Sequence, residues 1–354
     1  MADGFARYSR HQVDILSLAP RFWKWRMRGS ALAFVRQVKD VRAYDLVLAT
    51  DMVDVTDFKA LAGPACPPVA LYFHENQLSY PLEPGEKRDF HLGFTNIISA
   101  LAADGVFFNS QFHKADFFSA AKRLIRKMPD LRPGWVLDEI RDKTLVLYPG
   151  IDPAPEPCGV PEAQPNALDR PLVIWNHRWE YDKNPKAFFT ALDRLKHRGI
   201  AFYLAVMGER YDTVPQDFKG LEQRFDGELL VYGYQEQAED YRTWLAKGSV
   251  VISTAIQENF GISVMEAVAH GCMPLLPNRL SYPELIPGPL KTDVIYRDDA
   301  DLETRLEHVL VAPESYREKA ALLSAHAAGF SWDHMAKKWD KFLHQTLRSG
   351  RSRN

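Results

Sequence analysis

Two carboxylates and a glycine lie close together in the second half of the chain. Glu258 and Glu266 are eight positions apart, with Gly261 between them. An apolar run over Val250–Thr254 predicts a strand before them, and Val264–His270 predicts a helix that carries Glu266 in its first turns. Carboxylates accept hydroxyl groups, and free N–H groups at a helix start favour a phosphate. The segment therefore predicts a site for a polyhydroxylated, phosphorylated ligand.

The two carboxylates could each bind a different part of such a ligand. Glu266 is placed to receive a ribose, and Glu258 is placed to receive a hexose. The backbone amides of Asn259, Phe260 and Gly261 would lie near the positive end of the helix. For either glutamate alone, a solvated or helix-capping role is the simpler interpretation. The pair gains weight only in combination with cations elsewhere in the same domain.

Arg178 and Lys183 supply such cations in the turn after a predicted strand over Leu172–Trp175. An arginine binds phosphate oxygens in pairs and a lysine acts as a point charge, so together they fit a diphosphate. The alternative is a pair of surface ion pairs with Glu180 and Asp182.

Two further turns follow strands in this half, and both contain glycine. A glycine lets backbone approach a ligand closely, and a flat base could lie against the second turn. Ordinary turn chemistry explains both equally well. The first turn contains Gly208 and Glu209, and the second contains Tyr232, Gly233 and Tyr234.

The first half has one comparable polar cluster. His74 ends the apolar run Val69–Phe73 and is followed by Glu75, Asn76 and Gln77. Because ligands lie at the carboxyl ends of strands in open α/β sheets, this histidine is a candidate for a cleft position. A buried histidine satisfied by a neighbour is the alternative.

Basic residues concentrate near the start of the chain. From Arg7 to Arg42 there are nine lysines and arginines against two aspartates, with aromatic residues interleaved. A solvated surface strip is the simpler interpretation, and a basic face that binds an acceptor is the other. The candidate acceptor-binding cations are Arg21, Lys24, Arg26 and Arg28.

Strand and helix patterns alternate in two successive blocks, which predicts two α/β domains with parallel sheets. We expect an N-terminal domain over 1–152, a proline-rich linker over 153–171, a nucleotide-binding domain over 172–325 and a helical segment over 326–354 that returns to the first domain. His11–Leu18 is predicted to be a strand. A doubly wound domain usually opens with a strand and a glycine-rich turn, so the first strand is expected to be missing here.

Composition excludes several classes of protein. The net charge of −2 argues against a globally basic nucleic-acid binder. Three widely spaced cysteines argue against a disulfide framework and fit a reducing cytoplasm. There is no run of 18 apolar residues, so no membrane anchor is expected. His177 has no second histidine or cysteine at metal spacing, so no metal is expected.

The combined motifs resemble the GT-B glycosyltransferases of family four, whose Glu-x7-Glu pattern matches ENFGISVME at 258–266. Over most of its length the chain looks closer to one branch, the tRNA-queuosine mannosyltransferases. The matching segments are FWKWRMRGSAL (22–32), LYFHENQLSYP (71–81), FNSQFH (108–113), HRWEYDKNP (177–185), GYQ (233–235), ENFGISVMEAV (258–268) and SYPELIP (281–287).

The resemblance implies two Rossmann-like domains facing across a cleft. It also implies retaining transfer of mannose from GDP-mannose, without a cofactor or metal, to a cyclopentenediol hydroxyl of queuosine in a tRNA anticodon. Arg178 and Lys183 would neutralise the diphosphate, Glu266 would hold the ribose and Glu258 the mannose. His74 would reach the sugar near its 6-hydroxyl or the β-phosphate. Glu75, Asn76 and Gln77 would lie on the acceptor side, and the basic strip would bind tRNA phosphates.

Branch members begin with a strand and a Gly-Gly-Ser-His turn that this chain lacks, which leaves acceptor binding open. One alternative is a family-four transferase acting on a lipid, a glycan or a small molecule. Another is a non-catalytic protein that binds nucleotide sugar or tRNA. No obligate protein partner is evident from the sequence.

Overall fold

The computed structural model describes residues 1–19, 21–82, 85–152, 168–210 and 214–351. The chain forms two compact units: Met1–Gly150 together with Asp333–Asn354, and Ile151–Trp332. Most of the predicted linker, residues 153–167, lies outside the described residues.

Helices and strands alternate along the first half of the chain. The elements are α1 (Ala2–Tyr8), α2 (Trp23–Gln37), β1 (Val47–Thr50), α3 (Val55–Ala62), β2 (Val69–Phe73), α4 (Phe90–Ala102), β3 (Gly105–Phe108), α5 (Gln111–Lys127), α6 (Val136–Asp142) and β4 (Thr144–Val146).

The second half repeats the alternation. The elements are β5 (Leu172–Trp175), α7 (Pro185–His197), β6 (Tyr203–Val206), α8 (Leu221–Arg224), β7 (Leu229–Tyr232), α9 (Ala238–Lys247), β8 (Val250–Ile252), α10 (Ile262–Ala269), β9 (Met273–Pro277), α11 (Tyr282–Leu285), α12 (Lys291–Val294), β10 (Ile295–Tyr296), α13 (Asp299–Val311), α14 (Arg317–Ala328) and α15 (Trp332–Arg351).

The sheet of the first unit has the order β1-β2-β3-β4, and all its strands are parallel. All five residues of β2 are buried, as expected for a strand covered on both faces. Helix α15 belongs to this unit: the Trp339 ring lies 5.4 Å from that of Phe5, and its Nε1 donates to the Tyr148 carbonyl at 2.9 Å.

The sheet of the second unit has the order β10-β9-β8-β5-β6-β7 and is also parallel. Strand β5 is fully buried and pairs with β6 on one side and β8 on the other. The direction of winding reverses between β5 and β8. The loops that follow these two strands therefore open beside each other at the carboxyl edge, where ligands bind in sheets of this kind.

The prediction of two α/β units with parallel sheets is confirmed. The predicted strand over His11–Leu18 is wrong, because these residues join neither sheet. The segment contains several apolar residues, but among the described residues no strand pairs with it, and Ile15 and Leu16 are each 43% exposed. Apolar residues alone do not supply the hydrogen-bonded neighbour that a strand requires.

Candidate active site

A buried cluster of charges joins the loops after β5 and β8. Lys183 Nζ lies 3.1 Å from Asp182 Oδ2 and 3.3 Å from Glu258 Oε2, and it donates to the Gln257 carbonyl at 2.9 Å. Thr254 Oγ1 also donates to the Lys183 carbonyl at 2.9 Å. The structure thus brings together Lys183 and Glu258, which sequence reasoning had assigned to different parts of the ligand.

Two members of this cluster, Lys183 and Glu258, are held in their charged forms. Burial acts to lower the pKa of Lys183, but the carboxylates of Glu258 and Asp182 outweigh it and raise that pKa. Burial acts to raise the pKa of Glu258, but the charge of Lys183 and a hydrogen bond from the Phe260 backbone outweigh it and lower that pKa. The result is a fixed positive charge at the switch point with two carboxylates beside it.

The Glu258 loop uses its own amides differently from the prediction. The N–H groups of Asn259 and Phe260 point at Glu258 Oε1, at 3.1 and 3.4 Å. These two donors were expected to face a ligand, and here they orient the carboxylate instead. Gly261 has a φ of 92°, and an added Cβ would lie 3.0 Å from the Tyr282 ring, so a side chain would be strained and crowded there.

Glu266 is the fifth residue of α10, because the helix begins two residues earlier than predicted. Its Oε2 accepts from the Tyr241 hydroxyl at 3.1 Å, and Asn176 Nδ2 donates to that hydroxyl oxygen at 3.0 Å. Asn176 also donates to the Ser263 carbonyl at 2.6 Å. Burial raises the pKa of Glu266 to about 7, against the opposing effect of the tyrosine hydrogen bond.

Sequence reasoning missed Tyr241 and Asn176. Asn176 directly follows β5, so its position at the carboxyl end of a central strand was a usable signal. Tyr241 lies on α9, where nothing local distinguishes it from other helical residues. Its pairing with Glu266 spans 25 positions and depends on the fold.

The structure is compatible with both interpretations of Arg178, as a diphosphate ligand and as a partner in a surface ion pair. Its guanidinium lies 3.1 Å from Glu180 Oε2, and its side chain is 44% exposed. The ion pair is the one that the surface alternative anticipates, whereas the exposure leaves the guanidinium accessible to a ligand. Burial raises the pKa of Glu180, and Arg178 opposes that rise.

Gly208 allows close packing of the backbone against the His177 carbonyl, and its approach to a ligand stays a prediction. Its φ is 156°, and an added Cβ would lie 1.9 Å from the His177 carbonyl oxygen. Next to it, the Trp179 N–H donates to the Glu209 carbonyl at 3.0 Å. The glycine therefore locks the loop after β6 against the loop after β5. Burial lowers the pKa of His177 to about 4, so that histidine is neutral.

The turn after β7 carries the remaining donor-side residues. The Tyr232 hydroxyl donates to the Phe218 carbonyl at 2.8 Å, and Tyr234 is 59% exposed. Gly233 has a φ of 121°. The Arg210 guanidinium lies over the rings of Trp179 and Tyr232, at 4.2 and 4.8 Å. Arg210 was missed because its stacking partners are distant in sequence.

In the first unit, a buried aspartate orients His74. Asp51 Oδ1 accepts from the His74 N–H at 2.8 Å and lies 3.5 Å from its Nδ1. Asn109 Nδ2 donates to the His74 carbonyl at 2.9 Å. The imidazole side chain is 38% exposed, so it is neither a core histidine nor a freely solvated one. Asp51 follows β1, the neighbour of β2, and sequence reasoning missed it.

The three residues after His74 build the loop. The buried Asn76 Oδ1 accepts from the N–H groups of Leu78 and Ser79, at 3.1 Å each. Gln77 Nε2 donates to Glu75 Oε1 at 2.9 Å. Their assignment to the acceptor stays a prediction.

Of the predicted acceptor-binding cations, Lys24, Arg26 and Arg28 lie on the first turns of α2, and Arg21 precedes the helix. Lys24 lies 3.8 Å from Glu86, and Arg28 donates to Thr95 Oγ1 at 3.3 Å. Arg21, Lys24 and Arg28 are exposed, and Arg26 is partly buried. Three aromatic side chains among them are also exposed: Phe22 by 74%, Trp23 by 44% and Trp25 by 73%.

Comparison with known proteins decides the family. Residues 1–151 match the tRNA-queuosine alpha-mannosyltransferase N-terminal family, and residues 161–318 match the glycosyl transferases group 1 family. The tRNA-queuosine alpha-mannosyltransferase of Drosophila melanogaster is 33% identical over 313 residues, which cover 86% of this chain and 81% of that protein. The chain belongs to the tRNA-queuosine alpha-mannosyltransferase family. It is therefore a glycosyltransferase, as its motifs predicted.

Solved structures show the same fold at low identity. Sucrose-phosphate synthase from Thermosynechococcus elongatus has a TM-score of 0.68 and 17% identity, covering 96% of this chain and 83% of its own. The Anabaena protein HepE in complex with UDP has a TM-score of 0.63 and 18% identity, covering 89% and 82%. The prediction that this chain has a GT-B fold is confirmed.

No helix within the described ranges is long and apolar enough to cross a membrane. Residues 1–19, 21–82, 85–152, 168–210 and 214–351 contain no group of three or more histidine, cysteine, aspartate or glutamate side chains arranged to hold a metal ion.

Proposed function

We propose that this protein transfers mannose from GDP-mannose to a cyclopentenediol hydroxyl of queuosine in a tRNA anticodon. The observation that carries the proposal is the Lys183–Glu258 cluster, at the switch point of a sheet in a member of this family. The Drosophila relative's name supports the choice of sugar and acceptor. We further propose that the reaction needs no metal and takes place in the cytoplasm.

Donor binding is assigned to the second unit. Arg178 and Lys183 would neutralise the diphosphate, as fixed charges that stabilise the leaving group. The Glu266 carboxylate, oriented by Tyr241, would accept hydroxyls of the ribose. Glu258 would accept hydroxyls of the mannose, since Lys183 and two backbone amides already hold its carboxylate in place.

The chemical step fits same-face attack. The bond between the sugar's anomeric carbon and the phosphate oxygen breaks, and a queuosine hydroxyl oxygen bonds to that carbon from the same side. The hydroxyl proton passes to the leaving phosphate. Glu258 is poorly suited to act as a covalent nucleophile, because Lys183 and the amides engage both its oxygens and stabilise its charge.

Acceptor binding is assigned to the first unit. Exposed cations on α2 would contact tRNA phosphates, and the exposed rings of Phe22, Trp23 and Trp25 would stack on unpaired bases. The role of His74 toward the sugar, and of Glu75, Asn76 and Gln77 toward the acceptor, is part of the same proposal.

The exposed aromatic and basic face of α2 also fits a second candidate acceptor, a lipid at a membrane surface. Pelleting with anionic vesicles, set against a tRNA mobility shift, separates the two. Vesicle binding without tRNA binding would favour the lipid acceptor.

The direct test is incubation with queuosine-containing tRNA and a panel of nucleotide sugars, followed by nucleoside mass spectrometry. We expect the queuosine nucleoside to gain one hexose only with GDP-mannose. Binding of GDP-mannose with neither transfer nor hydrolysis would instead indicate a non-catalytic binding protein.

A further inference from the structure

A second basic surface combines residues shortly before α2 with residues of the C-terminal helix α15. A groove of about 620 Å³ runs between the segment that follows α1 and one face of α15, both in the first unit. Four of its lining residues are cationic, Arg10, Lys337, Lys341 and Arg348, and His344 lies among them. The whole chain carries a net charge of −2, so this concentration is local.

The acid in the groove wall is already engaged. The buried Asp340 accepts from the Ser9 hydroxyl at 2.6 Å and from the Arg10 N–H at 3.1 Å. Among the described residues, no acid lies within ion-pair distance of Lys337, Lys341 or Arg348. Asp340 also pairs with Arg10 Nε at 3.8 Å, so the uncompensated positive charge of the groove lies on Lys337, Lys341 and Arg348.

The cations form a stripe on a helix that is held firmly. Lys337, Lys341, His344 and Arg348 recur every three or four residues, which places them on one face of α15. At 1.5 Å per residue the stripe is about 16 Å long. On the other side of the helix, Trp339 packs in the core and donates to the Tyr148 carbonyl.

We propose that this groove binds the phosphodiester backbone of the acceptor RNA, as a contact separate from α2. A line of fixed cations about 16 Å long matches consecutive phosphates of a strand better than one compact phosphate group. Arg10 and Arg21 are eleven residues apart, so the two surfaces lie within about 40 Å along the chain, and one RNA can reach both. This inference rests on the proposed function for the identity of the RNA.

The test compares neighbouring lysines on the same helix in the full chain. Lys341→Ala and the double variant Lys341→Ala/Arg348→Ala are measured beside Lys338→Ala, which is exposed but does not line the groove. tRNA affinity is determined over a salt series, and thermal unfolding checks that each variant is folded. We expect the slope of log affinity against log salt to fall by about one for each groove cation removed, and to stay unchanged for Lys338→Ala.

Several results would overturn the proposal. It would be overturned if the groove variants bound tRNA with the affinity and the salt slope of the parent protein. It would also be overturned if poly-glutamate displaced bound tRNA as effectively as competing RNA does. Absence of tRNA binding by the parent protein would remove the groove and the tRNA acceptor together.

The same variants separate the groove from the proposed function. If the groove variants bind tRNA as tightly as the parent protein and still transfer mannose, the groove proposal alone is refuted. Weakened binding by those variants, in a parent protein that transfers no mannose, removes the proposed function and leaves the groove supported.

Discussion

The loops after β5 and β8 and the helix α2 carry similar charged residues in opposite settings. Lys183 is buried and paired with two carboxylates, whereas Lys24 is exposed and lies 3.8 Å from one partly exposed glutamate. Buried, paired charges keep one geometry, which suits a step where charge develops at a fixed point. Exposed cations and rings adapt to an extended polymer, at the cost of dependence on salt.

The largest expected effect follows from removing the buried cation. We expect Lys183→Ala to reduce mannose transfer by at least about 10²-fold, because the leaving diphosphate loses a preorganised charge. It should also lower the free energy of unfolding by about 3–5 kcal/mol, since Asp182 and Glu258 lose their buried partner. Turnover assays and denaturant unfolding measure the two effects.

Lys186→Ala is the matched control, because Lys186 is exposed on the same stretch of chain. Glu258→Gln keeps the shape of the side chain and should lose transfer with a smaller loss of stability. Retained turnover in Lys183→Ala or Glu258→Gln would contradict the donor-site assignment.

An intermediate effect is expected from the Tyr241–Glu266 pair. The pKa of Glu266 is raised to about 7, so the carboxyl is largely protonated below that pH and ionised above it. The stability that this raised pKa provides is present below the ordinary carboxyl pKa of 4.5 and is lost as pH rises from there to about 7. The ionised form accepts ribose hydroxyls best, so donor affinity should increase over the same interval.

Tyr241→Phe removes the hydrogen bond that favours the ionised form. The midpoint of donor affinity should therefore move to higher pH, with KM affected more than kcat above the midpoint. Calorimetric binding of GDP over a pH series bracketing 7 checks this. An unchanged midpoint would mean that Glu266 does not govern donor binding.

The smallest effect per residue is expected on α2. Arg26→Glu/Arg28→Glu should weaken tRNA binding and flatten its salt dependence, while leaving hydrolysis of GDP-mannose unchanged. Arg36→Glu, exposed at the far end of the same helix, is the control. A salt slope equal to that of the parent protein would remove α2 from the acceptor surface.

The two regions also differ in how far the sequence predicts them. The limits of β2 and β5 match the structure because apolar runs specify them locally. The Lys183–Glu258 contact spans 75 positions and Tyr241–Glu266 spans 25, so neither follows from local pattern. Sheet order creates both contacts.

Two departures from the predictions have different causes. His11–Leu18 contains apolar residues but has no partner strand among the described residues, which is an effect of tertiary context. The Asn259 and Phe260 amides were expected to face a ligand, and they donate to the adjacent Glu258, which is a local effect.

The central claim is that the paired charges at the switch point serve mannose transfer to a modified tRNA. The most direct measurement is nucleoside mass spectrometry of queuosine-containing tRNA after incubation with GDP-mannose and either the parent protein or Glu258→Gln. We predict a hexose adduct on queuosine with the parent protein and none with the variant. An adduct formed equally well by both would contradict the account, as would its absence from the parent reaction.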